Sequence, residues 1–235
     1  PTITAAVNAA TYLDTIEVDA AAYNASNPNE TLAFGAAVSM AGLTIQSNSS
    51  ERINVTGGVH FSNVGTIDGL TLRDLYITGE SSGASIHMGN AGVLSNFAID
   101  NCVIDGEDAA GRHAIRGGNL SQSLVMSGCE IKNSLGWSTF DSAASGVVNH
   151  ALTNVSITNN HVHHSNGSIS VRGLAGSPTT SVTITGNTWN NIGQNGTGTS
   201  NNWACIEVNT AVSVVATGNS CTDVLPGSWG EGQAF

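Results

Sequence analysis

Apolar and polar residues alternate along this chain in short runs that return at a fixed interval. The pattern is plainest in Leu70-Thr71-Leu72-Arg73-Asp74-Leu75-Tyr76-Ile77. It recurs from Phe97, Leu124, Val155 and Val182, with earlier copies from Ile16 and Leu43 and a weaker one from Val214. Successive steps are 27, 27, 27, 27, 31, 27 and 32 residues. Alternation with period two places every other side chain on one face of a strand. Positions 16 and 18 after the second to fifth starts read Val59/Phe61, Ile86/Met88, His113/Ile115 and, one copy earlier, Leu32/Phe34. A second apolar strand pair therefore repeats in step with the first. Nothing between the strands is a 10–15-residue amphipathic helix, which excludes an α/β alternation. Ile3, Val7 and Ala10 fall on one helical face, so residues 1–15 are expected to form a short N-terminal capping helix and its turn. The stretch from Asn24 to Glu30 reads as a polar loop.

Short strands repeating at this period, each too short to bury a core alone, predict an all-β parallel solenoid of about eight coils over residues 16–224. Residues 225–235 form a tail with neither a further coil nor a capping helix. An open end of this kind exposes strand edges, to be covered by the tail, a following domain or a second subunit joined head to tail.

Composition changes the picture mainly by exclusion. Five Arg and one Lys against 17 acidic residues give a net charge of −11, which excludes binding to a phosphate backbone. No run reaches the ~18 apolar residues of a membrane-spanning helix. Abundant Gly, Asn, Ser and Thr and a small charged fraction fit an extracellular or cell-surface location. No leader is visible ahead of Pro1, as in a processed product or an excised fragment.

Five residues after each start stand Ala21, Asn48, Leu75, Cys102, Cys129, Asn160, Asn187 and Asn219. Asparagines stacked at a bend form an amide ladder along the axis. Cys102 and Cys129 are neighbours in that column, as a disulfide or as two buried thiols. Cys205 and Cys221 fall in the last coils and are the other candidate pair.

The helix followed by Asp14-Thr15-Ile16-Glu17-Val18, and the repeats ending Ile-Thr-Asn-Asn or Ile-Thr-Gly-Asn, resemble the right-handed parallel β-helix superfamily. It includes pectate-lyase-like enzymes, phage tailspikes and many surface proteins. The resemblance covers about residues 1–224 and implies the fold; one fold hosts many chemistries.

Candidate chemistry lies on outward positions. Positions six and eight after the starts gather Asp105, Glu130, Lys132, His161 and His163 on adjacent coils. If the chain is an enzyme, Lys132, His161 and Glu130 are its candidate catalytic groups. They would abstract a proton beside a uronate carboxyl group, as a polysaccharide lyase does. His161 and His163 with Glu130 also make a candidate metal site. Asp105, Asp108 and His163 make a second, with the acidic turn Asp105-Gly106-Glu107-Asp108 as a weak calcium turn. No lyase pattern of carboxylates around an Arg is present. Arg112, Arg116, His87 and Arg172, with His60, form a candidate surface for acidic glycans. In strict register His113 points inward beneath Ile86. Outward threonines are interrupted by Ala98, Asp100, Val125 and Arg73, which argues against an ice-binding array. Glycosylation sequons occur at eight asparagines; those expected in loops are Asn24, Asn29, Asn166 and Asn195, whereas Asn48 is assigned to the ladder.

The expected function is a secreted or cell-surface protein with a structural, adhesive or assembly role, as a filament subunit or bound to another surface component. The alternatives are a lyase or other enzyme acting on an acidic polysaccharide, and a phage-type spike. None requires a cofactor; calcium is the one candidate.

Overall fold

The computed structural model describes residues 2–27, 29–35, 40–61, 66–79, 83–88, 93–108, 113–117, 120–135, 138–141, 151–172, 178–193, 203–224 and 232–233. These residues form a parallel β-helix. Strands along the coil alternate among three sheets, and each strand pairs with its counterparts in neighbouring coils.

The first sheet has a path of eight strands, from β1 (Thr15–Val18) to the strand Ala211–Thr217. The second runs from Ile53–Val55 to Ser220–Val224 and the third from Leu32–Phe34 to Ile206–Asn209, with seven strands each. The expectation of about eight coils is corrected to about five turns. The first copy carries helix α2 (Ala20–Ser26) in place of a second-sheet strand, and the second copy packs its second-sheet strand against that helix. The last copy has no third-sheet strand.

Two further expectations are corrected at this end. Helix α2 lies where the sequence reads as strand and loop: Asp19 accepts a hydrogen bond from the Ala22 amide and caps a run of alanines. The first step is also longer than 27 residues, since Ile16 pairs with Ile45 rather than Leu43. A shift of two residues keeps the same face inward, so the hydrophobic pattern does not resist it. The expected N-terminal helix, α1 (Ile3–Ala9), is present, with Ile3 and Val7 buried. Its free amides at Ile3 and Thr4 donate to the Glu30 carboxylate at 3.2 and 2.8 Å.

From the third repeat onward the corner between the first and second sheets is built the same way each time. One residue adopts a left-handed conformation: Asp74, Asn101, Gly128, Asn159, Gly186 and Gly218, with φ between 50° and 68°. Only Gly, Asn and Asp enter this region at low cost, which explains the recurring Asn and Gly at that position. The next residue turns inward. Asn160 and Asn187 are buried, and their side chains form the expected ladder. The Asn187 Oδ1 accepts from the Asn160 backbone and side-chain amides, both at 2.9 Å. Its own Nδ2 donates to the Ile157 carbonyl at 2.9 Å and to Asn219 Oδ1 at 3.0 Å. Cys129 and Cys102 continue the column as buried free thiols, and Cys205 and Cys221 are joined by a disulfide. Asn48 does not belong to the ladder; it is exposed, because the corner of that coil follows the altered first register.

Inside the coil, Ile45, Leu72, Ile99, Met126, Ile157 and Ile184 stack as one buried column. Phe34 and Phe61 stack with centroids 4.5 Å apart. Of the expected tail, only Gly232–Gln233 lies among the described residues, paired in parallel with Trp203–Ala204.

Replacing Asn187 by Ala removes a buried side chain that serves three neighbours. The Asn160 amide and the Ile157 carbonyl then lose partners in the core, which costs about 3 kcal/mol. Urea unfolding of Asn187→Ala should show a lower midpoint with an unchanged slope; an unchanged midpoint would show that the ladder carries no stability.

Candidate functional site

The outward face of the second sheet holds the densest set of ionisable groups. Its register is the one the repeat predicts. Tyr76, Val103, Glu130, His161 and Thr188 form one column, and Asp105, Lys132, His163 and Asn190 the next. Parallel pairing brings side chains 27 to 31 residues apart to adjacent rungs, so charges scattered in sequence become a contiguous patch.

The Asp105 carboxylate sits at one side. Its Oδ1 accepts from the Glu107 amide and from Asn133 Nδ2, both at 2.9 Å. Its Oδ2 accepts from the Tyr76 hydroxyl at 2.9 Å and lies 3.9 Å from the Lys132 ammonium. Burial acts to raise this carboxyl, but the four partners outweigh it and hold it below the usual range. Burial and the adjacent Asp105 charge push the Tyr76 phenol up to about 12, so it stays un-ionised.

Lys132 bridges onward to Glu130, with Nζ 3.4 Å from Oε1. The same oxygen lies 3.0 Å from His163 Nε2. Burial favours the neutral form of both groups, yet His163 and Lys132 hold Glu130 low. In His163 burial prevails over Glu130, with the His161 and His164 rings adding to it, and its pKa is lowered. A neutral His163 that donates from Nε2 to Glu130 must accept at Nδ1, which lies 2.7 Å from His164 Nδ1. His161 stacks on His163 with centroids 4.5 Å apart and approaches Asn190 Oδ1 at 3.3 Å. The patch thus holds an un-ionised phenol, two carboxylates, an ammonium and a neutral imidazole. Each acceptor is occupied by a neighbour.

Among the described residues no group of three or more His, Cys, Asp or Glu side chains is arranged to hold a metal ion. For the proposed trio of Asp105, Asp108 and His163 the reason is local. Asp105 is engaged by four donors, and the exposed Asp108 turns on a left-handed backbone with its amide on the Asn133 carbonyl. In the other trio the Glu130 oxygen that meets His163 also faces Lys132.

The third sheet assembles part of the other proposed surface. His60, His87 and Arg116 follow one another along one column, with the two rings 5.3 Å apart. Burial, the His60 ring and the Arg116 charge push His87 down to about 4. Its Nδ1 is buried without a partner among the described residues. Arg112 and the side chain of Arg172 lie outside the described residues. His113 is buried and inward, as expected, but it pairs with Ala84 while Ile86 pairs with Ile115. The expected pairing with Ile86 is corrected by a slip of two residues, which preserves the face.

The sequon asparagines divide differently from expectation. Asn29 is exposed. Asn24 is not free: its amide donates to Glu51 and the Arg52 carbonyl and accepts from the Asn54 amide. Asn166 is 2% exposed, so a loop acceptor is excluded there. Asn195 lies outside the described residues.

Two partners of the patch escaped the sequence reading. Asn133 and His164 occupy the corner after the second-sheet strand, where both have positive φ. The recurring column Gly79, Gly106, Asn133, His164, Asn191 and Asp223 marks that corner in the sequence. Among the described residues no helix is long and apolar enough to cross a membrane. Comparison with family models, curated proteins and solved structures finds no match to this chain.

The lowered groups make one prediction about pH. A group held below its unfolded value contributes stability above that value and loses it as pH falls toward the folded one. For His163 and His87 the loss begins near pH 6.5; for Asp105 and Glu130 it begins near the ordinary carboxylate range. The melting temperature should therefore fall in two stages on acidification. His87→Gln should flatten the stage between pH 6.5 and about 4. A melting temperature independent of pH from 7 to 4 would contradict the assignment.

Proposed function

We propose that the chain is a non-catalytic β-solenoid of the extracellular space or cell surface, with a structural or adhesive role. The observation that carries this reading is the closed pairing in the second-sheet patch. Tyr76, Asp105, Lys132, Glu130 and His163 engage one another across four successive strands. A cross-strand network of this kind ties coils together. A catalytic group, by contrast, must leave its reacting atom to a substrate. The Cys205–Cys221 disulfide supports an oxidising compartment. Adhesion fits better than a head-to-tail filament, because α1 packs over the first strands of the first and third sheets at one end.

One observation favours a second reading, an enzyme on an acidic polysaccharide. His163 is neutral, is oriented by Glu130 and shares that carboxylate with Lys132. An imidazole base beside an ammonium that neutralises a uronate carboxylate is the arrangement β-elimination requires.

Ultraviolet assays with uronate polymers, with and without calcium, separate the two. The structural reading expects no unsaturated product, and it expects Lys132→Ala to lower the melting temperature by a few degrees, equivalent to about 1–2 kcal/mol. Product formation that Lys132→Ala abolishes would overturn it. Binding to an intact surface glycan without product would support adhesion.

A further inference from the structure

The N-terminal end of the solenoid contains a strand edge that no part of the described chain uses. The strand Thr44–Ser47 donates from the amides of Thr44 and Asn48 to the carbonyls of Asp14 and Val18. Parallel strands direct alternate residues to opposite sides. The amide and carbonyl groups of Thr15 and Glu17 therefore point away from that strand, and among the described residues no strand pairs with β1 on that side.

This edge opens into a groove of about 310 Å³ between α1 and α2. Its apolar wall is made by Ile3, Ala6, Ile16, Val18, Ala22 and Tyr23. Ile16 and Val18 are inward residues of the end coil and are only half-buried, because nothing stacks on them as the next coil would. Glu17 and Asp19 supply negative charge along the same strand. A free edge, an apolar channel beside it and carboxylates on its outward side occur together at one place.

We propose that this groove accepts an extended, basic segment of a partner protein, which adds to β1 as a further strand. Strand addition supplies affinity through main-chain hydrogen bonds and selectivity through alternate side chains. The alternation fixes the pattern. Inward residues of the added strand meet Ile16 and Val18 and are apolar; the outward residue opposite Glu17 is Lys or Arg, since opposite charges across a strand pair attract and like charges repel. The four residues of β1 offer about 13 Å of edge, enough for one short segment. A second copy fits poorly for two reasons. It carries the same net charge of −11, and α1 covers the end on which a whole coil would have to stack.

Fluorescence anisotropy with end-blocked, labelled Thr-Val-Lys-Val-Thr and Thr-Val-Glu-Val-Thr tests the proposal on the full chain. The Lys peptide should bind about fivefold tighter than the Glu peptide. Glu17→Lys should reverse that order without filling the groove, and hydrogen exchange at the Glu17 amide should slow when the Lys peptide binds. Ala22→Trp, checked by its melting temperature, should abolish binding by occupying the channel. No binding, equal binding of the two peptides, or binding unaffected by both substitutions would overturn the proposal. Sedimentation showing self-association that Ala22→Trp abolishes would overturn it in favour of a second copy.

Discussion

Each coil of this molecule can satisfy its backbone only through the coils on either side. A strand of three or four residues has no internal hydrogen bonds, and its inward side chains are too few to close a core. Inter-coil pairing is therefore the constraint on which everything else depends. It fixes a rung to its neighbour residue by residue and so turns positions in sequence into columns in space. The column of isoleucines, leucine and methionine from Ile45 to Ile184, the asparagine ladder and the outward ionic patch are three products of the same register.

This dependence explains what could be read from the sequence. Between Leu43 and Thr185 the alternation, the left-handed corner residues and the buried column all repeat, and each supports the others. The register of Tyr76, Glu130 and His161, or of Asp105, Lys132 and His163, follows from counting. The end coils were less legible because one side of their register is missing. At Ile16 the alternation is compatible with a shift of two residues, and the run Ala20-Ala21-Ala22 takes up the helix that its cap Asp19 favours. Burial at loop positions was also hidden. Asn166 has the residue type of a surface turn, but its coil turns it inward against the Leu135 carbonyl.

The ionic patch shows how a solenoid uses polar residues. Asp105 receives donors from its own turn, from the preceding coil through Tyr76 and from the following one through Lys132 and Asn133. Such a group specifies register in a way that an apolar column cannot, because a slipped rung would leave it buried without its donors. The third-sheet column behaves differently. His87 lies between His60 and Arg116, two groups that oppose its protonation, and its buried Nδ1 has no described partner. The two faces therefore respond to acidification by different routes, one through loss of charge pairing and the other through charging of a buried ring.

The Cys205–Cys221 disulfide encloses the terminal first-sheet strand, Ala211–Thr217, within its 16-residue separation. In a one-dimensional stack the last rung has a neighbour on one side only and frays before any other. Closing a loop of this size removes about 3 kcal/mol worth of disorder from the frayed state. The rung and its closing bond then open together rather than residue by residue. The redox state of a single cysteine pair consequently sets the ordered length of the whole rod.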